Sequence, residues 1–293
     1  MSSIANSPLR YPGGKAALSC FLSEVLKENG LLDGVYAEPY AGGAGAALNL
    51  LFAENVERII LNDADPCIFS FWDSILKSKD DFIDLLDKTP ISVEEWKKQR
   101  EIYKKSSYYP QILVAFASFY LNRCNRSGII ANGGPIGGID QEGKWKIDAR
   151  FNKIELIRRI EKIHLYRDRI KVYGLDAIDF IKKISTIKNG SEKILVYLDP
   201  PYYVKGSGLY LNHYNYSDHA HLAKFMTRKR SFRWLMTYDN VPEIRSLYAD
   251  RKQIEFSLSY TAHSRKIGSE LLIYSDNLTL PMDLDTLGLA ANF

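Results

Sequence analysis

At 293 residues, 46% hydrophobic and 25% charged, the chain has ordinary globular composition, enough for one large domain or two smaller ones. Net charge is only +4, yet residues 97–171 hold 17 Lys/Arg against 7 Asp/Glu, a net of +10 that leaves −6 for the rest; a polyanionic partner such as DNA would explain the split, while the segment read alone favours a solvated helical surface. No apolar stretch is long enough to span a bilayer, the amino terminus lacks export-signal character, and Cys20, Cys67 and Cys124 form neither a metal motif nor a disulfide framework, so a cytoplasmic protein without membrane or metal is expected.

The string Leu9-Arg10-Tyr11-Pro12-Gly13-Gly14-Lys15 sets an aromatic, a turn and a lysine ahead of a helix expected over 17–28. Tyr11 offers a face to a flat or cationic ligand and Lys15 a charge to a carboxylate. Read alone, the string is a surface loop. A strand is expected over 35–40, followed by the loop Ala41-Gly42-Gly43-Ala44-Gly45 and a helix over 46–52. Glycines here let backbone approach a ligand. Glu38, ahead of the loop, would repel a pyrophosphate but suits a cation such as the amino group of S-adenosylmethionine. A second strand, 58–61, runs into Asn62-Asp63. An acid at that place takes ribose hydroxyls. Asp65 is an alternative, and either acid also suits a helix cap.

Residues 68–118 read as mainly helical, punctuated by Pro90 and Pro110. A glycine-rich loop over 125–143 and a helix over 153–165 follow, the loop too long to be idle. A strand over 170–173 leads to Asp176, which either reaches a cofactor adenine or caps the helix 177–184. Further strands are expected over 194–198, 233–238, 253–260 and 270–274. His164, His213, His219, His221 and His263 lack ligand spacing, and His219-Ala220-His221 reads as capping or flanking a helix. Strands alternating with helices predict an α/β fold with a mostly parallel, doubly wound sheet and an antiparallel edge. The basic helical stretch 75–166 breaks that rhythm and reads as an insertion. The expected division is 1–74 with 167–293 as the catalytic domain, and 75–166 as an inserted target-recognition domain.

The sharpest motif is Asp199-Pro200-Pro201-Tyr202, after the apolar run Ile194-Leu195-Val196-Tyr197-Leu198. Open α/β sheets bind ligands at the carboxyl ends of their strands. Asp199 accepts hydrogen bonds from an NH2 group, the prolines stiffen the chain and aim the Pro200 carbonyl, and Tyr202 offers a face for a base. These side chains suit methylation of an exocyclic amino group on a nucleobase. By itself Asp-Pro-Pro is also ordinary turn chemistry.

With Arg10 to Lys15, Glu38 to Gly45, Asp63 and Asp199 to Tyr202 in this order, the chain resembles the Dam-type (D12 class, α-group) DNA adenine-N6 methyltransferases over almost its whole length. The resemblance implies a Rossmann-like S-adenosylmethionine-dependent methyltransferase sheet with an inserted, mainly helical target-recognition domain. It makes Asp199, Pro200 and Tyr202 the catalytic residues. Tyr11, Lys15, Glu38, Gly42, Gly45, Asp63, Asp176 and Asp199 become the cofactor-binding set. Asn122-Arg123, Arg126 and Gly128 look like the family's stretch at the edge of the recognition domain. The loop 129–143 is more similar to those of phage and mobile-element relatives than to those of GATC-specific members. Arg123, Arg126, Lys144, Lys146 and Arg150 are candidates for contacts with double-stranded DNA. Ser264-Arg265-Lys266 resembles a basic loop near the DNA and adds Arg265 and Lys266.

The implied reaction moves a methyl group from S-adenosylmethionine to N6 of an adenine flipped out of the duplex. Cytosine-N4 methylation shares the amino chemistry, but a serine often opens its motif, so Asp199 favours adenine. Protein-glutamine and RNA methyltransferases usually open with asparagine. A non-catalytic DNA-binding protein on the same fold is a further alternative, opposed by the intact motif set.

Overall fold

The computed structural model describes residues 6–10, 15–186, 193–204, 214–228, 230–258, 268–281 and 290–291. Five parallel strands form most of the sheet: β1 (Gly34–Glu38), β2 (Val56–Asn62), β3 (Ile170–Tyr173), β4 (Ile194–Leu198) and β5 (Arg233–Asp239). Antiparallel to these run β6 (Lys252–Leu258), β7 (Gly268–Tyr274) and the short β8 (Ala290–Ala291). The order is β3-β2-β1-β4-β5-β7-β6-β8. The chain therefore reverses direction across the sheet between β1 and β4, where a doubly wound fold opens its ligand crevice. The α/β class and the antiparallel edge are as the periodicity predicts.

Residues alternate between two apolar layers along the strands, as the pleat requires. Tyr36, Ile59, Leu61, Leu195 and Tyr197 face one layer, and Ala37, Ile60, Val196, Leu198, Trp234 and Met236 the other. The first layer takes α1 (Ser19–Glu28) and α2 (Gly45–Phe52). The second takes α8 (Ala177–Ser185), α9 (Tyr216–Met226) and α10 (Pro242–Leu247). The histidine pair does not flank a helix: both residues lie inside α9, whose start is capped by Asn215 and Asp218. His219 is buried there, its Nδ1 2.8 Å from the Tyr238 hydroxyl.

Between β2 and its parallel neighbour β3 the chain builds α3 (Pro66–Lys77), α4 (Lys79–Lys88), α5 (Val93–Lys104), α6 (Gln111–Cys124) and α7 (Lys153–Leu165). A side-chain cap marks three of these starts: Asp65 on Cys67, Ser92 on Glu95 and Asn152 on Glu155. Aromatic rings tie the helices together. Phe71 of α3 stacks on Phe119 of α6 at 5.7 Å, and Phe82, Phe116 and Phe151 pack around them. This core is continuous with the first layer of the sheet. The 74/75 boundary, expected where a basic helical stretch breaks the strand–helix alternation, lies within α3, where Ser74 and Ile75 are both buried. No helix among the described residues is long and apolar enough to cross a membrane, and no described group of His, Cys, Asp and Glu has a metal-binding arrangement.

Candidate active site and nucleic-acid interface

The carboxyl ends of the parallel strands bring the acidic residues together. Glu38 closes β1, and Asp199 follows the last residue of β4, the adjacent strand. Glu38 is buried, and its Oε1 accepts from the Tyr36 hydroxyl at 3.0 Å. Burial pushes its pKa up to about 8. The hydrogen bonds from Tyr36 and the Ala47 N–H oppose the rise, and the Asp199 charge adds to it. A buried acid poised this way gains from a cationic neighbour.

Asp63 lies just past β2, and its carboxylate holds two turns. Oδ2 accepts from the Gly42 N–H at 2.9 Å and Oδ1 from the Asp65 N–H at 3.0 Å. Desolvation raises its pKa to about 7 against those two bonds. Gly42 has a left-handed φ of 45°, and its carbonyl accepts from Trp72 Nε1 at 2.9 Å, so the loop is braced from two sides. Gly45 has a packing role: a Cβ there would sit 3.2 Å from the Ala16 side chain. The two open acids separate cleanly, since Asp65 caps α3. Asp176 caps α8, accepting from Ile178 and Asp179. Asn62, unremarked in the sequence, is buried and bonds Pro39 and Leu175, pinning the loops after β1 and β3 together.

Both carboxylates carry raised pKa values in the fold, so they favour folding at low pH. That stabilisation is full below their unfolded values near 4 and fades as pH rises through the folded ones, about 7 for Asp63 and about 8 for Glu38. Thermal unfolding of the ligand-free protein is expected to show stability falling between pH 4.5 and 8, each group contributing a slope of at most about 1.4 kcal/mol per pH unit. Glu38→Gln is expected to flatten the upper part of that window. An unchanged slope in the variant contradicts the assignment.

Around the tetrapeptide, three residues from β5 and β7 were not singled out by sequence. Thr237 Oγ1 donates to Asp199 Oδ1 at 2.9 Å. Asp239 receives the N–H groups of Tyr203 and Val204, each at 2.9 Å. Glu270 Oε1 accepts from the Tyr202 hydroxyl at 2.7 Å, orienting that ring. Asp239 and Glu270 are register partners across β5 and β7. The available signal was positional: Asp239 directly follows the strand expected over 233–238, at the same sheet edge as Asp199. Tyr40 and Tyr214 place their hydroxyls 3.0 Å apart, joining the loop after β1 to the segment entering α9.

Of the basic candidates, Arg126, Lys144, Lys146 and Arg150 are exposed. Arg126 opens the loop after α6. Gln141 braces the loop, bonding the carbonyls of Ile136 and Gly138 and the Ile147 N–H. Lys146 bonds the Gln141 carbonyl. Trp145 stands 66% exposed with the Lys144 ammonium 5.7 Å from its ring, an aromatic between two lysines that charge counting passed over. Arg123 is placed differently. Its guanidinium holds the Arg150 carbonyl at 2.7 Å and reaches the Pro8 carbonyl. Burial and the neighbouring Arg10 and Arg159 lower its pKa, and it remains a cation at neutral pH.

Asn122 is buried at the end of α6 and grips the amino-terminal segment. Its Oδ1 accepts from the Arg10 N–H at 2.6 Å, and its Nδ2 donates to the carbonyls of Arg10 (2.6 Å) and Gly128 (2.9 Å). Gly128 presses against the same point, with φ 76° and a Cβ position only 2.5 Å from the Arg10 carbonyl oxygen. Gly128→Ala combines a left-handed alanine with a backbone clash and is expected to cost at least about 1–2 kcal/mol in urea denaturation. A neutral outcome would mean that this junction is slack. Lys15 opens a 3-10 turn, Lys15–Leu18. Tyr11, Arg265 and Lys266 lie outside the described residues.

No curated protein matches the chain by sequence. Among solved structures it is similar to the rRNA methyltransferase aviRa from Streptomyces viridochromogenes, at 16% identity over 90% of this chain and 85% of that one, with a TM-score of 0.36. The model of the D12 class N6 adenine-specific DNA methyltransferases matches residues 11–267, and the chain belongs to that family: it is an adenine-specific DNA methyltransferase.

Proposed function

We propose that the enzyme takes its methyl group from S-adenosylmethionine and transfers it to N6 of an adenine flipped out of double-stranded DNA, with Asp199, Pro200 and Tyr202 as the catalytic residues. The observation that carries this reading is the meeting of Asp199 and Glu38 on adjacent strands where the sheet reverses direction. The residues present fit the cofactor. Glu38 suits its amino group, Asp63 at the end of β2 its ribose, and the left-handed Gly42 lets backbone approach it. When bound, S-adenosylmethionine supplies an electrophilic methyl group.

The chain's own residues do the rest. An adenine amino nitrogen is a poor nucleophile because its lone pair is delocalised into the ring. Asp199 and the Pro200 carbonyl accept its two N–H bonds, which draws the nitrogen toward a tetrahedral arrangement and localises the lone pair. The positive charge that develops there faces the Asp199 carboxylate, and the proton leaves toward that side. Tyr202, its hydroxyl tied to Glu270, presents a fixed face to the base. Positioning and electrostatics supply most of the rate. Flipping is tested by removing the base opposite the target adenine. Because unpairing costs a few kcal/mol, binding of the abasic duplex is expected to tighten, and equal affinity for paired and abasic duplexes would contradict flipping.

The segment 75–166 would read the duplex as a recognition domain through its exposed loop. Trp145 between Lys144 and Lys146 suits stacking on a base beside phosphate contacts. Trp145→Ala is expected to weaken DNA binding by about 1–3 kcal/mol at fixed salt. Arg126→Ala is expected to reduce the slope of log affinity against log salt by about one. Fluorescence anisotropy across a salt series separates the two, and unchanged affinity and slope in both variants would place the DNA elsewhere.

A further inference from the structure

The wall of the active site behind Asp199 has a proton order that its hydrogen bonds determine. An ionised Asp199 carboxylate only accepts, so the 2.9 Å contact from Thr237 Oγ1 is a donation. A threonine hydroxyl has one proton, and that donation uses it. The Tyr197 hydroxyl lies 2.7 Å from the same Thr237 oxygen and must therefore be the donor in that pair. Tyr197 has a proton to give, because burial holds its pKa well above the ordinary phenol value. Thr237 is fully buried in β5 and Tyr197 is 2% exposed in β4, so water does not substitute for either link. The result is a directed chain, Tyr197 to Thr237 to Asp199, built across two adjacent strands.

We propose that Thr237 is a positioning residue for methyl transfer, its hydroxyl locking the rotation of the Asp199 carboxylate, with Tyr197 fixing the direction in which that hydroxyl points. This inference rests on the assignment of Asp199 as the catalytic acceptor and deepens it. A carboxylate at a strand end swings about its own side-chain torsions. With Oδ1 held by a buried donor, one acceptor oxygen is set by the sheet, and the orientation of the carboxylate toward a bound amino group is fixed before substrate arrives. Neither Thr237 nor Tyr197 touches the reacting atoms in this scheme. The arrangement acts on the rate of transfer and leaves the affinities for DNA and cofactor alone.

The test uses the full-length enzyme and three variants in single-turnover methyl transfer, at saturating duplex and S-adenosylmethionine. Thr237→Val removes the hydroxyl at nearly constant shape. It is expected to slow transfer between about 10- and 100-fold, the range for a misaligned reacting group, with both dissociation constants within about threefold of wild type. Thr237→Ser restores the donor and is expected to regain most of the rate, which a purely steric role for the threonine does not predict. Thr237→Val also strands the Tyr197 hydroxyl, so the double variant Tyr197→Phe/Thr237→Val removes that complication. It is expected to stay as slow as the single valine variant. Wild-type transfer by Thr237→Val, with Asp199→Ala inactive, overturns this inference and leaves the catalytic assignment standing. Recovery of the rate in the double variant overturns it too, by tracing the defect to the stranded phenol. An active Asp199→Ala enzyme overturns the catalytic assignment and this inference with it.

Discussion

Asp199→Ala is expected to lower methyl transfer by at least about 10³-fold while DNA binding persists, because it removes the one charged acceptor from the reacting nitrogen. The side chain lies past the end of β4, not within the core, so its loss leaves the strand's apolar residues in place. Thr237 bonds Asp199 and Glu38 lies near enough to feel its charge, but neither replaces it. Thr237 is a donor when aligned with Tyr197, and Glu38 is engaged by Tyr36 and the Ala47 N–H. Asp199→Asn keeps one acceptor oxygen but loses the charge and turns an amide NH2 toward donors, so a smaller but still large loss is expected. A tritiated-methyl assay reads both variants. Transfer by the alanine variant within tenfold of wild type would move the chemistry away from this residue.

Asp239→Ala is expected to have the second-largest effect, although the residue touches no substrate. Its two oxygens receive the successive N–H groups of Tyr203 and Val204, fixing the chain as it leaves the tetrapeptide. Both are charge-assisted bonds to a carboxylate on a residue only 8% exposed. Val204 is exposed and Tyr203 half-buried, so water recovers part of the loss. About 1–3 kcal/mol of stability is expected to go, read by chemical denaturation. The larger consequence is for activity. If the turn relaxes by about 1 Å, Pro200 and Tyr202 lose register with Asp199, which costs on the order of 10²-fold in rate. Asp239→Asn retains one carbonyl acceptor and is expected to fall between. Full activity in the alanine variant would show that the two prolines alone hold the turn.

How much of this was legible in the sequence follows from the physics of each signal. The run 194–198 is apolar because β4 is covered on both faces, and a carboxylate directly after it had to sit at the sheet edge. The same logic located Glu38 and Asp63. Asp65 and Asp176 stayed ambiguous because a helix cap and a ligand contact demand the same side chain at the same place; in the fold both act as caps, bonding Cys67 and Ile178. Thr237, Asp239 and Glu270 escaped notice for a different reason. Each supports the tetrapeptide or the residues just after it through a single oxygen or carboxylate from a strand 35 to 68 residues away, and nothing local marks a threonine that points at another strand's aspartate. The aromatic core joining α3 to α6 was likewise hidden, because the break in strand–helix alternation that marks residue 75 carries no information about which rings pack together. His219 was misread as a helix flank because its polarity masked a buried partnership with Tyr238.

In the proposed reaction Asp199 is the charged acceptor that readies adenine N6 in DNA for the methyl group. The most direct test is to express the wild-type and Asp199→Ala proteins in a methylation-free bacterial host and sequence the host DNA by a single-molecule method that reads modified bases. N6-methyladenine is expected at one short recurring sequence in wild-type cells and is expected to be absent in the variant. Methylation on cytosine N4, no modified base in wild-type cells, or the same adenine pattern in both strains would contradict the proposed reaction.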